Sequence, residues 1–169
     1  MKGLGKPARL SALARGVALA GLLALVSVGS GCDPTAEGRP GLWLSGEVAE
    51  APAGDWAFSD EVDLIQLESE TVYGIPHSVT VVCFRYGGDL YVPSRGAVEK
   101  FWVSNVLRYP EVRLRIAGRI YPARAEKVDV EDPAVRAPLM AAIGAKYPDI
   151  GRDTQKNQDM WVFRMTAGS

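Results

Sequence analysis

His77-Ser-Val-Thr-Val-Val-Cys-Phe-Arg-Tyr86, Gly87-Gly-Asp89 and Leu90-Tyr-Val92 form one unbroken passage. A β-branched and aromatic run meets a tight-turn signal, and a second apolar run follows at once. Such side chains suit a pleated, half-buried surface, and glycines between two such runs mark a hairpin. Upstream, Val62-Asp-Leu-Ile-Gln-Leu-Glu-Ser-Glu70 alternates apolar and polar residues apart from the extra Ile65, which predicts a half-buried strand. Gly74-Ile-Pro76 separates it from the hairpin, and Pro93-Ser-Arg-Gly96 ends the hairpin on the other side.

Further along, Val98, Phe101, Trp102, Val103, Val106 and Leu107 recur at helical spacing and predict a helix over 97–108. Tyr109-Pro110 stops it, because a residue before proline disfavours the α region. Val112 to Ile116 alternates, Ala117-Gly118-Arg119 turns, and Ile120 to Val130 returns as a longer strand. Asp132-Pro133 reads as a helix N-cap followed by proline at the first helical position. A helix over 134–146 follows, with Pro138 and Gly144 predicting that it is short, kinked or split. Met160 to Met165 alternates as a closing strand. The order β-β-β-α-β-β-α-β with short connections excludes a doubly wound parallel sheet, which needs regular βαβ crossovers. It predicts an α+β domain: a six-stranded antiparallel barrel with two helices packed outside.

The beginning of the chain has a different character. Lys2, Lys6, Arg9 and Arg15 precede the apolar run from Val17 to Val26, and Gly29-Ser30-Gly31 leads into Cys32. That is the layout of an export signal, and the apolar run is shorter than the roughly 20 residues of a membrane-spanning helix. With a cysteine directly after the small residues it resembles a bacterial lipoprotein signal. The resemblance implies a signal peptide over 1–31, lipid on Cys32 and attachment to the envelope membrane on its exported side. Asp33 resembles an inner-membrane retention signal. Residues 32–41 read as the lipidated cysteine and a Gly- and Pro-rich tether, and 42–169 as the folded domain.

Loss of residues 1–31, with four basic and no acidic side chains, leaves 138 residues carrying 15 basic against 20 acidic groups, a formal charge of −5. The basic residues are interleaved with acidic ones, so no nucleic-acid footprint exists. One histidine and two cysteines exclude a site built from several histidines and any zinc-type cluster. With Cys32 lipidated, Cys83 has no disulfide partner in the chain and reads as a small core residue.

Three segments carry a family resemblance: Gly74-Ile-Pro-His-Ser-Val-Thr-Val81; Leu90-Tyr-Val-Pro-Ser94; and Trp102-x-x-Asn105 followed by Tyr109-Pro110-x-Val112-Arg-Leu-Arg-Ile-Ala-Gly118. In this order they resemble the flavin-binding split-barrel superfamily, the pyridoxamine-phosphate-oxidase-like proteins, and within it the deazaflavin-dependent nitroreductase-like branch. The resemblance covers residues 62–166. It implies a split barrel, a two-fold homodimer, and FMN or deazaflavin F420 as cofactor. Phosphate needs cations and hydroxyl or amide donors at one place. Ser94, Arg95, Lys100 and Trp102 are the candidate cofactor-binding residues, with His77 and Ser78 assisting from the neighbouring strand; His77 stands where the family often has arginine or lysine. The function implied is a membrane-anchored oxidoreductase acting on a small organic acceptor. The alternative is a non-catalytic envelope lipoprotein whose cofactor site has decayed, acting as a binding or scaffold module.

Overall fold

The computed structural model describes residues 41–52, 54–96, 100–153 and 158–168. The signal peptide, Cys32, Asp33 and the tether to Pro40 lie outside the described residues. The described strands are β1 (Glu47–Val48), β2 (Leu64–Ser69), β3 (His77–Val82), β4 (Phe84–Tyr86), β5 (Asp89–Arg95), β6 (Glu111–Ile116), β7 (Arg119–Lys127) and β8 (Met160–Ala167). The helices are α1 (Phe101–Arg108), α2 (Pro133–Lys146) and α3 (Pro148–Arg152), with a short 3-10 helix over Ala57–Glu61.

Strand order across the sheet is β3-β2-β6-β7-β8-β5-β4, antiparallel throughout, with β1 added in parallel to β7. The two outermost strands, β3 and β4, are consecutive in the chain and separated by Cys83 alone. One run of chain therefore serves both edges, and the sheet curls into a barrel. The hairpin falls where the sequence places it, with Phe84 opposite Tyr91 and Tyr86 opposite Asp89. The long strand expected over 77–86 is divided, however: its first half pairs with β2 and its second with β5. That division and the two-residue β1 raise the expected six strands to eight.

At the break, Cys83 is fully buried and its backbone belongs to neither ladder. The hydroxyl of Tyr147, at the end of α2, takes over. It lies 2.7 Å from the Cys83 carbonyl and 2.6 Å from the Asp63 carbonyl, and accepts from the Cys83 N–H at 3.4 Å. Burial pushes the Cys83 thiol up to about 11, although Lys146 Nζ, 3.9 Å away, works in the other direction. A thiol so protonated is no nucleophile at neutral pH, in keeping with the core reading.

Two apolar cores flank the sheet. Inside the barrel are Ile65, Leu67, Leu90, Val92, Trp102, Leu114, Ile116 and Phe163, with Trp56 fully buried among them. Trp56 N–H donates to Gly88 O at 3.1 Å, which draws the 3-10 helix against the β4–β5 turn. The approach is close enough that a Cβ on Gly88 would lie 2.4 Å from Gly54 O. The second core lies outside, where Phe84, Tyr91 and Val162 meet Leu139 and Ile143 of α2.

The first helix begins at Phe101, with Lys100 extended at its N-cap; residues 97–99 lie outside the described residues. Asp132 caps α2 by accepting from Ala134 N–H at 2.8 Å, and Pro133 holds the first position. The helix expected to be short, kinked or split is one 14-residue element with Pro138 inside it, so no split falls at Pro138 or Gly144. The interruption comes at Tyr147, whose ψ of 85° suits a residue before proline, and Pro148 starts α3. Gly144 is instead a contact point, because a Cβ on the facing Gly151 would lie 2.7 Å from the Gly144 Cα.

Replacing Tyr147 with Phe leaves the Cys83 backbone without its partner while keeping the ring. The variant is expected to unfold in urea with a stability lower by about 1–3 kcal/mol and an unchanged slope. Wild-type stability would show that the hydroxyl does not hold the barrel closed.

Candidate functional site

Alternation along β5 decides which side chains can meet. Leu90 and Val92 enter the barrel core and Tyr91 the outer core. Ser94 follows the inward series and Arg95 the outward one. Ser94 is accordingly buried, its hydroxyl inside the barrel and without a hydrogen-bond partner among the described residues. Arg95 emerges toward α3. Its Nη2 donates to Ile150 O at 3.0 Å and its Nη1 lies 3.8 Å from Asp153 Oδ2.

Arg95, Lys100 and Trp102 line one cleft of about 240 Å³, together with Thr80, Pro93 and Met160. Lys100 is the N-cap of α1 and contributes no side-chain cap, so the positive end of the helix adds to the two cations. Trp102 is buried, its ring 5.5 Å from that of Phe163. The lining is mostly apolar, and Arg95 and Lys100 are its charged members. Such a cleft suits a ligand with an anionic end and an apolar body.

The other candidates stand elsewhere. His77 presents its ring edge-on to Phe101, with centroids 6.3 Å apart, and is not part of the cleft lining. Ser78 is occupied with the incoming chain: its hydroxyl accepts from Gly41 N–H at 2.8 Å and its own N–H donates to Gly41 O at 2.9 Å. Gly41, expected as the last residue of the tether, is thereby pinned to the barrel. Arg85 pairs with Asp60 at 2.6 Å, and the basic group beside Cys83 is Lys146. Sequence reading missed Thr80, Ile150 of α3 and Asp153 just after it. Alternation from Ser78 places Thr80 on the outer face, and Pro148 was the available signal for α3.

A larger cleft of about 870 Å³ involves Lys127, Arg136 and Trp161, with Lys127 Nζ 3.5 Å over the Trp161 ring. Asp129, Glu131 and Asp159 share its lining, which makes it a poorer host for phosphate. Among the described residues no group of three His, Cys, Asp or Glu side chains is arranged to hold a metal.

No protein-family model matches the chain, and no curated protein matches it. Solved structures do. It is similar to HutZ, the heme storage protein of Vibrio cholerae, with 17% identity and a TM-score of 0.55 over 67% of this chain and 87% of that one. It is also similar to the conserved hypothetical protein Rv2991 of Mycobacterium tuberculosis, with 14% identity and a TM-score of 0.55 over 73% and 86% of the two chains. A candidate pyridoxamine 5'-phosphate oxidase from Listeria innocua gives 17% identity and a TM-score of 0.51 over 67% and 90%. These likenesses show the fold, an antiparallel split barrel with packed helices, as expected from the sequence.

Asp153 competes with any anion for Arg95. Asp153→Asn is expected to tighten binding of inorganic phosphate about three- to five-fold by calorimetry, the scale of a partly exposed ion pair. Unchanged or weaker binding would show that Arg95 does not face the ligand.

Proposed function

We propose that this chain is a lipid-anchored, flavin- or deazaflavin-binding oxidoreductase acting on a small organic acceptor, with FMN the first cofactor to test. The observation that carries the proposal is the meeting of Arg95, Lys100 and Trp102 on one cleft at the start of α1. Arg95 and Lys100 would take the cofactor phosphate, with the first N–H groups of α1 beside them. The cofactor supplies hydride or electron transfer, and the protein's part is binding and orientation. No side chain of the cleft is needed for the redox step itself.

At about 240 Å³ the cleft falls below the roughly 300–1,000 Å³ usual for a whole drug-sized ligand. It fits the anionic end, and the flat ring then needs further surface. A two-fold partner would provide it. One solved structure with 16% identity and a TM-score of 0.51 is described as a domain-swapped dimer, which supports a homodimer here. HutZ is described as storing heme, another flat ring; heme carries carboxylates that two cations would also hold. Lipid on Cys32 would place this activity on the exported side of the membrane, with Asp33 favouring the inner one.

A second reading is supported by the pairing of Arg95 with Asp153 and by the inward turn of Ser94. In it the split barrel is kept, the cofactor site has decayed, and the protein is a binding or scaffold module of the envelope. Titration separates the two. Flavin fluorescence on adding protein to FMN or deazaflavin F420 is expected to report saturable binding, weakened about ten-fold or more by Lys100→Ala. Hemin, followed by its absorbance, is the competing ligand. Folded protein that binds neither flavin would leave the scaffold reading in place.

A further inference from the structure

We infer that the end of the barrel where the chain enters is a bilayer-contacting surface, formed by Leu42, Trp43, Val72, Tyr73, Ile75 and Phe101. The inference rests on the reading of Cys32 as lipid-bearing. These six are among the eleven large apolar residues exposed in the described structure, each between 46% and 59% accessible. They are placed together by bonding and register. Gly41 is fixed to Ser78, and Leu44 N–H donates to the Glu68 carboxylate. Glu68 and Ser78 are cross-strand partners, so residues 42 and 43 lie across the β2–β3 hairpin two residues from its turn. That turn is built rather than loose: Thr71 Oγ1 donates to Ile75 O at 2.7 Å and Gly74 N–H to Thr71 O at 3.0 Å. It presents Val72 and Tyr73 outward. Phe101 adjoins the same end through its edge contact with His77, the first residue after the turn to pair with β2.

The length of chain before Gly41 selects the occupant. Eight residues separate Cys32 from Gly41. Even fully extended, that stretch reaches only about 30 Å. A domain of this size is about 36 Å across, taking its radius of gyration as about 14 Å. The lipid on Cys32 therefore holds the entry end, and not the far end, nearest the membrane. The chemistry agrees, since tryptophan and tyrosine are the residues that settle at the headgroup level. A net charge of −5 on residues 32–169, with exposed Glu70 at the root of the turn, makes the contact apolar rather than electrostatic.

The test uses mature protein extracted from membranes and reconstituted into phosphatidylcholine vesicles brominated at shallow or deep acyl positions. Intact mass is read on the same sample. The chain has four tryptophans; Trp56 and Trp102 are buried and Trp161 half-buried. Shallow bromine is expected to quench the wild type more than deep bromine does, with no effect of added salt. Trp43→Phe should remove most of that quenching and leave the thermal midpoint unchanged. A lipid-bearing protein with no Trp43-dependent quenching overturns the inference while the anchor stands. Should that protein elute as a dimer that Trp43→Phe breaks into monomers, a second copy covers the surface instead. A mass without lipid overturns the anchor reading alone. The same vesicles then test the surface from solution: quenching that depends on Trp43 supports it and its absence overturns it.

Discussion

Closure of the barrel at Cys83 is the constraint on which the rest of the structure depends. A sheet whose two edges are supplied by one run of chain must change partners within that run. The residue at the change has no ladder for its N–H and C=O, and burial without partners would cost it on the order of 1–3 kcal/mol. Tyr147 meets that need from outside the sheet, and its hydroxyl also reaches Asp63 at the entrance to β2. One side chain thus ties the end of α2 to both edges of the barrel. Because α3 starts directly after Tyr147 and packs back on α2 through Gly144 and Gly151, the same tie sets where Ile150 and Asp153 meet Arg95.

The candidate site follows from that frame and from the period of a strand. Strand alternation sends Ser94 inward and Arg95 outward; α1 brings Lys100 to the cleft, and Trp102 lines it from the barrel core. The cations are therefore offered by a strand end and a helix start. The Asp153 carboxylate beside Arg95 moderates the local field, so a phosphate bound as proposed would have to displace an existing partner. This sets binding strength more than it sets geometry.

Much of this was legible in the residues. Alternation gave β2, β6 and β8, Gly87-Gly88 gave the hairpin, and Asp132-Pro133 marked the start of α2. The break at Cys83 was not visible, because Val81-Val-Cys-Phe84 is an even apolar run with no glycine or proline. It is decided by closure of the sheet, a tertiary demand that local propensity does not encode. The two-residue β1 is too short to leave a pattern. At the site, Arg95, Lys100 and Trp102 were grouped by their nearness to the β5–α1 connection and share a cleft. Grouping Ser94 with Arg95 overlooked that strand neighbours point to opposite faces. His77 and Ser78 were placed beside the site as the start of a strand neighbouring 90–92, but that half of the strand pairs with β2, and their packing partners, Phe101 and Gly41, lie too far along the chain for spacing to reveal.

The central claim, that the cleft at the start of α1 holds a flavin-type cofactor, is tested most directly by what the native protein carries. Protein extracted gently from membranes, denatured, and analysed for released small molecules by mass spectrometry is predicted to yield FMN or deazaflavin F420 in an amount approaching one per chain. Correctly folded protein that releases neither would contradict it.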